Sequence, residues 1–197
     1  MSSIFLNIIT PLTRPQNLAV MGRSIQLAIP HVNFRWIVVM DGDYSMFRDY
    51  LTPYWDNIEY HTFPSDGKGI SGNPQRNFGL DLVSEGHVYF LDDDNIMHPK
   101  FNNAIIIAEQ FDDYGIVFHQ QLKTGTTRLF AHPKNMKETF VEASQWIVPR
   151  EMVGDLRWEP FNYCADGVFV ETLYNFYPER FLFIGEGLSY YNYLRSS

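Results

Sequence analysis

Short apolar runs alternate along this chain with amphipathic stretches of helical period. Ile4–Ile9 is apolar except for Asn7 and stops at Thr10-Pro11, which reads as a strand. Pro15 opens a stretch in which Leu18, Met21, Ile25 and Ala28 fall near one helical face, and a first helical turn tolerates proline. Phe34–Met40 reads as a second strand ending in Asp41-Gly42-Asp43, and Ile58–Phe63 as a short third. Gly67, Gly69 and Gly72 mark a loop. Asn73-Pro74 predicts an N-cap followed by proline at the first helical position. Gln75, Arg76 and Asn77 then occupy the first turns, with Phe78, Leu80 and Leu82 buried. Val88–Leu91 is another strand, and it runs straight into Asp92-Asp93-Asp94-Asn95.

Phe101, Ala104, Ile105, Ala108 and Phe111 recur at helical spacing, and Gly115–His119 is strand-like. This alternation predicts an α/β fold with a mainly parallel sheet flanked by helices. The pattern loosens after residue 120. Lys123–Thr127 is a turn, Arg128–Ala131 a strand running back, and Gln145–Pro149 a short apolar piece. Asp166–Tyr177 has helical period, with Phe169, Thr172, Leu173 and Phe176 near one face, and Arg180–Ile184 is the last strand. With 197 residues and neither repeat nor linker, a single domain is expected.

Composition narrows the class. Hydrophobic residues make up 45% and charged residues 19%, as in a globular protein rather than a disordered one. The net charge of −8 argues against nucleic-acid binding through a basic face. A single cysteine, Cys164, excludes an internal disulfide and any multi-cysteine zinc site. The start has no basic region and too short an apolar run for a signal peptide, and no stretch approaches the length of a membrane span. A soluble, cytoplasmic protein is the expectation.

Chemistry concentrates where strands end. Three adjacent carboxylates repel one another unless solvated or shared with a cation, and Mg²⁺ or Mn²⁺ takes one or two carboxylates together with substrate phosphates. Open α/β sheets bind ligands beyond the carboxyl ends of their strands. Thr10-Pro11, Asp41-Gly42-Asp43 and Asp92-Asp93-Asp94 therefore converge on one edge as a candidate metal–diphosphate site. There Asp41 could accept a hydrogen bond from a base, Asp94 could hold the metal, and Arg76 and Arg14 could reach phosphate or ribose. Plainer readings stand beside these: Asp41 and Asp43 as turn residues, Arg76 in an ion pair, and the triplet as an acidic turn. His98 and His119 are weak ligand candidates, since no HExxH spacing is present.

Thr10-Pro11 with Thr13-Arg14-Pro15, Trp36–Asp41, Pro74-Gln75-Arg76-Asn77 and Tyr89–Asn95 occur in an order that resembles the nucleotide-binding half of GT-A-fold glycosyltransferases. The inverting glucuronyltransferases are the nearest echo, over about residues 4–100. The resemblance implies one GT-A-type, Rossmann-like domain over residues 1–197, with a nucleotide-binding half to about residue 100 and an acceptor-side half beyond it. It implies a UDP-sugar donor with Mn²⁺ or Mg²⁺, and a glycan, lipid or protein acceptor. By position, Pro11 and Asp41 line the uracil and Arg76 contacts the nucleotide. Asp92 and Asp93 face ribose and sugar, and Asp94 binds the metal.

The second half departs from the glucuronyltransferases, lacking a match for their acceptor pocket and C-terminal histidine. Its Tyr191-Asn192-Tyr193-Leu194-Arg195 tail is similar to those of bacterial and viral GT-A enzymes, which offers Arg195 or a tyrosine to the diphosphate. An inverting transferase needs a general base. Related enzymes carry a carboxylate at the start of a late helix, which corresponds to Asp166. Asp166 is equally suited to be that helix's N-cap, with Glu159 and Glu142 as fallbacks. Trp146 and Trp158 serve either as sugar platforms or as core. Two rivals remain: a nucleotide-sugar-binding protein without turnover, and a nucleotidyltransferase, against which the absence of glycine between Thr10 and Pro15 counts.

Overall fold

The computed structural model describes residues 4–43, 56–64 and 66–195. Eight strands among these form one sheet: β1 (Phe5–Leu12), β2 (Asn33–Met40), β3 (Ile58–Thr62), β4 (His87–Phe90), β5 (Gly115–Gln121), β6 (Thr127–Leu129), β7 (Trp146–Pro149) and β8 (Phe181–Tyr190). The order is β3-β2-β1-β4-β7-β5-β6, with β8 beside β5. β1 pairs in parallel with both β2 and β4, and β2 with β3. The antiparallel β7 lies between β4 and β5, so the two halves of the chain share one sheet. β6 runs back along β5, and β8 runs parallel to it.

Side chains alternate across a strand, and β1 shows the consequence. Leu6, Ile8 and Leu12 pack with Leu18, Met21 and Ile25 of α1 (Leu18–Ala28) and with Ala104 and Ile105 of α3 (Asn102–Gln110). Ile9 faces the opposite layer, with Leu80 of α2 (Asn73–Asp81) and with Phe169, Val170 and Leu173 of α5 (Ala165–Phe176). A short α4 (Arg150–Val153) follows β7. Gly79 lets α2 approach β1, because a Cβ there would lie 2.6 Å from Ile9 Cγ2.

Several local expectations need correction. Gly72, not Asn73, is the N-cap of α2; it has φ +76°, and Asn73 and Pro74 are the first helical residues. Leu80 is fully buried, but Phe78 and Leu82 are only partly so. The apolar stripe of α5 is Phe169, Val170 and Leu173, which leaves Phe176 70% exposed. Of the two readings of Trp146 and Trp158, the core one holds: they stack with Phe169 at centroid distances of 5.6 and 5.0 Å. The final strand is longer than expected, reaching Tyr190.

Candidate functional site

The backbone brings the expected strand ends together. The Asp41 amide donates to the Leu12 carbonyl (3.1 Å), and the Leu91 amide donates to that of Ile9 (3.0 Å). Register therefore sets Asp92–Asp94 level with Pro11–Thr13, with Asp41 on the other side of β1. Pro11 is buried, and a Cβ on Gly72 would touch its ring at 2.7 Å. Thr10 belongs to the interior, where its hydroxyl accepts from the Trp36 indole at 2.9 Å.

Each aspartate of the triplet meets an arginine. Asp93 is spent on the β1–α1 turn: one oxygen accepts from the Thr13 amide (2.6 Å), the Thr13 hydroxyl (2.9 Å) and the Arg14 amide (2.7 Å). Its other oxygen takes the Arg14 guanidinium at 2.5 Å. The Asn17 side-chain Nδ2 donates to the Asp93 carbonyl at 2.7 Å. Asp92 pairs with Arg76. Asp94 receives Arg195 Nε at 2.8 Å and has Arg14 Nη1 at 3.7 Å. Burial pushes the Asp94 carboxyl above its ordinary value and Asp92 adds to this, while Arg195 opposes it.

Arg76 does not stand free to meet a nucleotide. It is 6% exposed, donates to the Ser71 carbonyl (2.7 Å) and Asn73 Oδ1 (3.1 Å), and lies 4.7 Å over the Trp158 ring. Its motif works as a clasp. Asn73 donates to the carbonyls of Glu159 (3.0 Å) and Asn162 (2.9 Å). Asn77 makes reciprocal 2.8 Å bonds with the Trp158 backbone. The segment so held leads directly into α5 and Asp166.

Asp166 is not the N-cap of α5; Cys164 holds that position, and Asp166 lies in the first turn. Its Oδ1 accepts from the Gly167 amide at 2.9 Å. Burial pushes its carboxyl up. The Gly167 bond and Arg76 oppose this, and Asp92 reinforces it. A carboxylate of the second half thus lies within electrostatic reach of the strand-end pair Asp92–Arg76. Glu142 also carries a raised carboxyl through burial, opposed by Arg128 and reinforced by Asp166. Arg128 donates to Glu142 Oε1 (2.6 Å) and Gln120 Oε1 (2.5 Å) and lies 3.6 Å over the Tyr191 ring. Glu159 contributes its carbonyl to Asn73 and remains peripheral. His98 and His119 each spend Nδ1 on a backbone amide, of Lys100 (3.1 Å) and Ala131 (2.9 Å).

No family model matches the sequence, and the search of curated proteins gave no match. Solved structures do match. The chain is similar in fold to TarS of S. aureus. TarS 1–349 in complex with UDP aligns at TM-score 0.72 and 14% identity over 95% of this chain. TarS 1–349 in complex with UDP-GlcNAc aligns at TM-score 0.71 and 13% identity. This is a GT-A-type fold, with a mostly parallel sheet flanked by helices. The chain spans 60% of the UDP-bound TarS structure and 36% of a longer TarS structure.

The carboxylates available here suit a cation shared with a diphosphate rather than an all-protein cage. No group of three His, Cys, Asp or Glu side chains among the described residues could hold a metal. Mg²⁺ and Mn²⁺ need only one or two carboxylates when phosphates supply further oxygens. Asp94 already accepts one cationic group, the Arg195 guanidinium. The next residue, Asn95, buries an Oδ1 that has no partner among the described residues. The Asp94 carboxylate is the kind of oxygen donor that a hard cation takes together with phosphates. Sequence reasoning missed Thr13 as the anchor of Asp93 and Arg128 as the holder of Glu142. Thr13 lay within the Thr-Arg-Pro motif; nothing in the spacing of Arg128 marked it.

Proposed function

We propose that this chain is a glycosyltransferase moving a sugar from a UDP-sugar to an acceptor hydroxyl on a glycan, lipid or protein. It acts with inversion, with Mn²⁺ or Mg²⁺, as one domain over residues 1–197. The observation that carries the reading is Asp166, a first-turn carboxylate of raised proton affinity within electrostatic reach of the strand-end pair Asp92–Arg76. Likeness to structures containing UDP and UDP-GlcNAc favours a uridine donor.

In this reading Pro11 and Asp41 line the base, Arg14 serves the phosphate side and Asp94 is the metal ligand. Asp92, oriented by Arg76, faces the ribose and sugar. Thr10 and Asp93 keep the strand end and the β1–α1 turn in place. Asp166 takes the proton of the acceptor hydroxyl, whose oxygen bonds to the anomeric carbon as the bond to the diphosphate breaks. UDP leaves with that electron pair. A bound divalent cation supplies Lewis acidity to the departing diphosphate. The lone Cys164 is compatible with a reducing cytoplasm. No helix among the described residues is long and apolar enough to cross a membrane.

A donor-binding protein without turnover is the second reading, favoured by the arginine pairing of all three strand-end aspartates. Release of UDP from UDP-GlcNAc and UDP-glucose in the presence of Mn²⁺ separates the two. Slow release that is lost in Asp166→Asn supports transfer. Tight UDP binding with no release from any UDP-sugar, even with glycan acceptors added, favours binding alone.

A further inference from the structure

The helical turn Ala143–Gln145 is fixed to β5 by a closed set of bonds. Its two ends cap each other: the Glu142 carboxylate accepts from the Gln145 amide, and the Glu142 amide donates to Gln145 Oε1 at 2.9 Å. Gln145 Nε2 donates to the Phe118 carbonyl (3.2 Å), and Gln120 Nε2 donates to Ser144 Oγ (3.2 Å). Gln120, Ser144 and Gln145 are buried. The Glu142 carboxylate also takes Arg128 of β6 at 2.6 Å and Gln120 at 3.4 Å. Arg128 is placed in turn by Gln120 Oε1 (2.5 Å) and the Tyr191 ring.

The start of α5 packs against the segment leading into this turn. A Cβ on Gly167 would lie 2.8 Å from Glu138 Cα, and the Glu138 amide donates to Glu171 at 2.8 Å. Asp166 is faced by Arg76 from α2, by Asp92 from the end of β4 and by the Ala143 amide, besides its own bond to Gly167. The Ala143 amide favours the charged form of Asp166. Glu142 and Asp166 interact as like charges, and such an interaction bears on both partners. Glu142 carries the arginine, whereas backbone amides hold Asp166.

We propose that the Arg128–Glu142 ion pair is a positioning device for the Asp166 carboxylate: it anchors the Ala143 amide that faces Asp166 and holds a second carboxylate against it. Its part in transfer rests on the reading of Asp166 as the proton acceptor. Glu142 is then a positioning residue rather than a second base, because Arg128, Gln120 and the Gln145 amide already engage its oxygens. The two members of the pair act on Asp166 with opposite sign. Removing the Glu142 charge removes a repulsion and leaves Arg128 unneutralised. Removing Arg128 leaves the Glu142 charge uncompensated.

The pH midpoint of the Asp166 carboxyl is measured by carbon-13 NMR in the full chain without ligand, for wild type, Glu142→Gln, Arg128→Met and Arg128→Lys. Glu142→Gln is expected to weaken proton binding at Asp166 about threefold. Arg128→Met is expected to strengthen it, with Arg128→Lys near wild type. A purely structural role would move the midpoint in the same direction in Glu142→Gln and Arg128→Met, or in neither, and either result would overturn the proposal. If Glu142→Gln does not fold, an unmoved midpoint in Arg128→Met overturns it alone. UDP release from UDP-GlcNAc with Mn²⁺, followed against pH in the same variants, keeps the two readings apart. Midpoints that move as expected with no release in any form support the device and remove transfer; release with unmoved midpoints removes the device and leaves transfer.

Discussion

The end of β4 and the start of α5 both carry carboxylates, but with different partners. At the end of β4, Asp92, Asp93 and Asp94 each face an arginine. At the start of α5, Asp166 is held by a backbone amide, and burial raises its proton affinity. Carboxylates paired with arginine fix geometry or share a cation. A partly buried carboxylate without its own ion pair is suited to accept a proton. In the proposed function the difference gives binding to one region and proton transfer to the other, and it can be broken from either side.

The largest effect is expected at Asp166. Asp166→Asn removes the proton acceptor but keeps the shape, so transfer should fall by roughly 10²–10⁴-fold with UDP affinity unchanged. Full transfer in that variant would reduce Asp166 to a helix-start residue. The same substitution predicts a stability change of opposite sense. A carboxyl whose folded value is raised favours folding below its unfolded value, and that contribution is lost as pH rises through the folded value. Asp166→Asn should therefore melt no lower than wild type at neutral pH. In the active protein, the acid limb of the transfer rate should lie above the ordinary aspartate range, as a pH–rate profile would show.

Next comes the triplet, where neighbouring residues should behave differently. Asp93→Ala cuts the bonds to Thr13 and Arg14 and should cost about 3 kcal/mol in chemical denaturation. Asp94→Ala should leave stability nearly unchanged and weaken Mn²⁺-dependent UDP binding at least tenfold, as calorimetry would read it. If both variants lose stability equally, the triplet is a structural turn throughout. The smallest effect is expected at Trp158. Trp158→Phe keeps the aromatic stack but weakens the platform under Arg76, with a loss of about 1 kcal/mol.

Much of this layout was legible in the chain. The alternation of apolar runs and helical stripes gave the order of elements, because periods of 2 and 3.6 are local properties. The abrupt change from Leu91 to Asp92 marked the site edge for the same reason. What the triplet's members do was not legible. The fate of Asp93 depends on where the Thr13 and Arg14 amides point, about 80 residues away in sequence. The Pro-Gln-Arg-Asn motif invited a ligand-binding reading because its arginine is polar and sits at a helix start. Its neighbours Asn73 and Asn77 instead bond to backbone at residues 158–162, a tertiary contact that no local pattern encodes. Phe176 shows the limit of periodicity. Thr172 and Phe176 share a face by spacing, but α5 meets the sheet through Phe169, Val170 and Leu173, one position further round.

Calorimetric titration of UDP, GDP and CDP, each with and without Mn²⁺, tests the central claim most directly. The account predicts that UDP binds, that it binds substantially more tightly with Mn²⁺, and that GDP and CDP do not compete effectively. Failure of all three nucleotides to bind under either condition would contradict it, leaving Asp92–Asp94 as an arginine-paired turn on a GT-A-type fold.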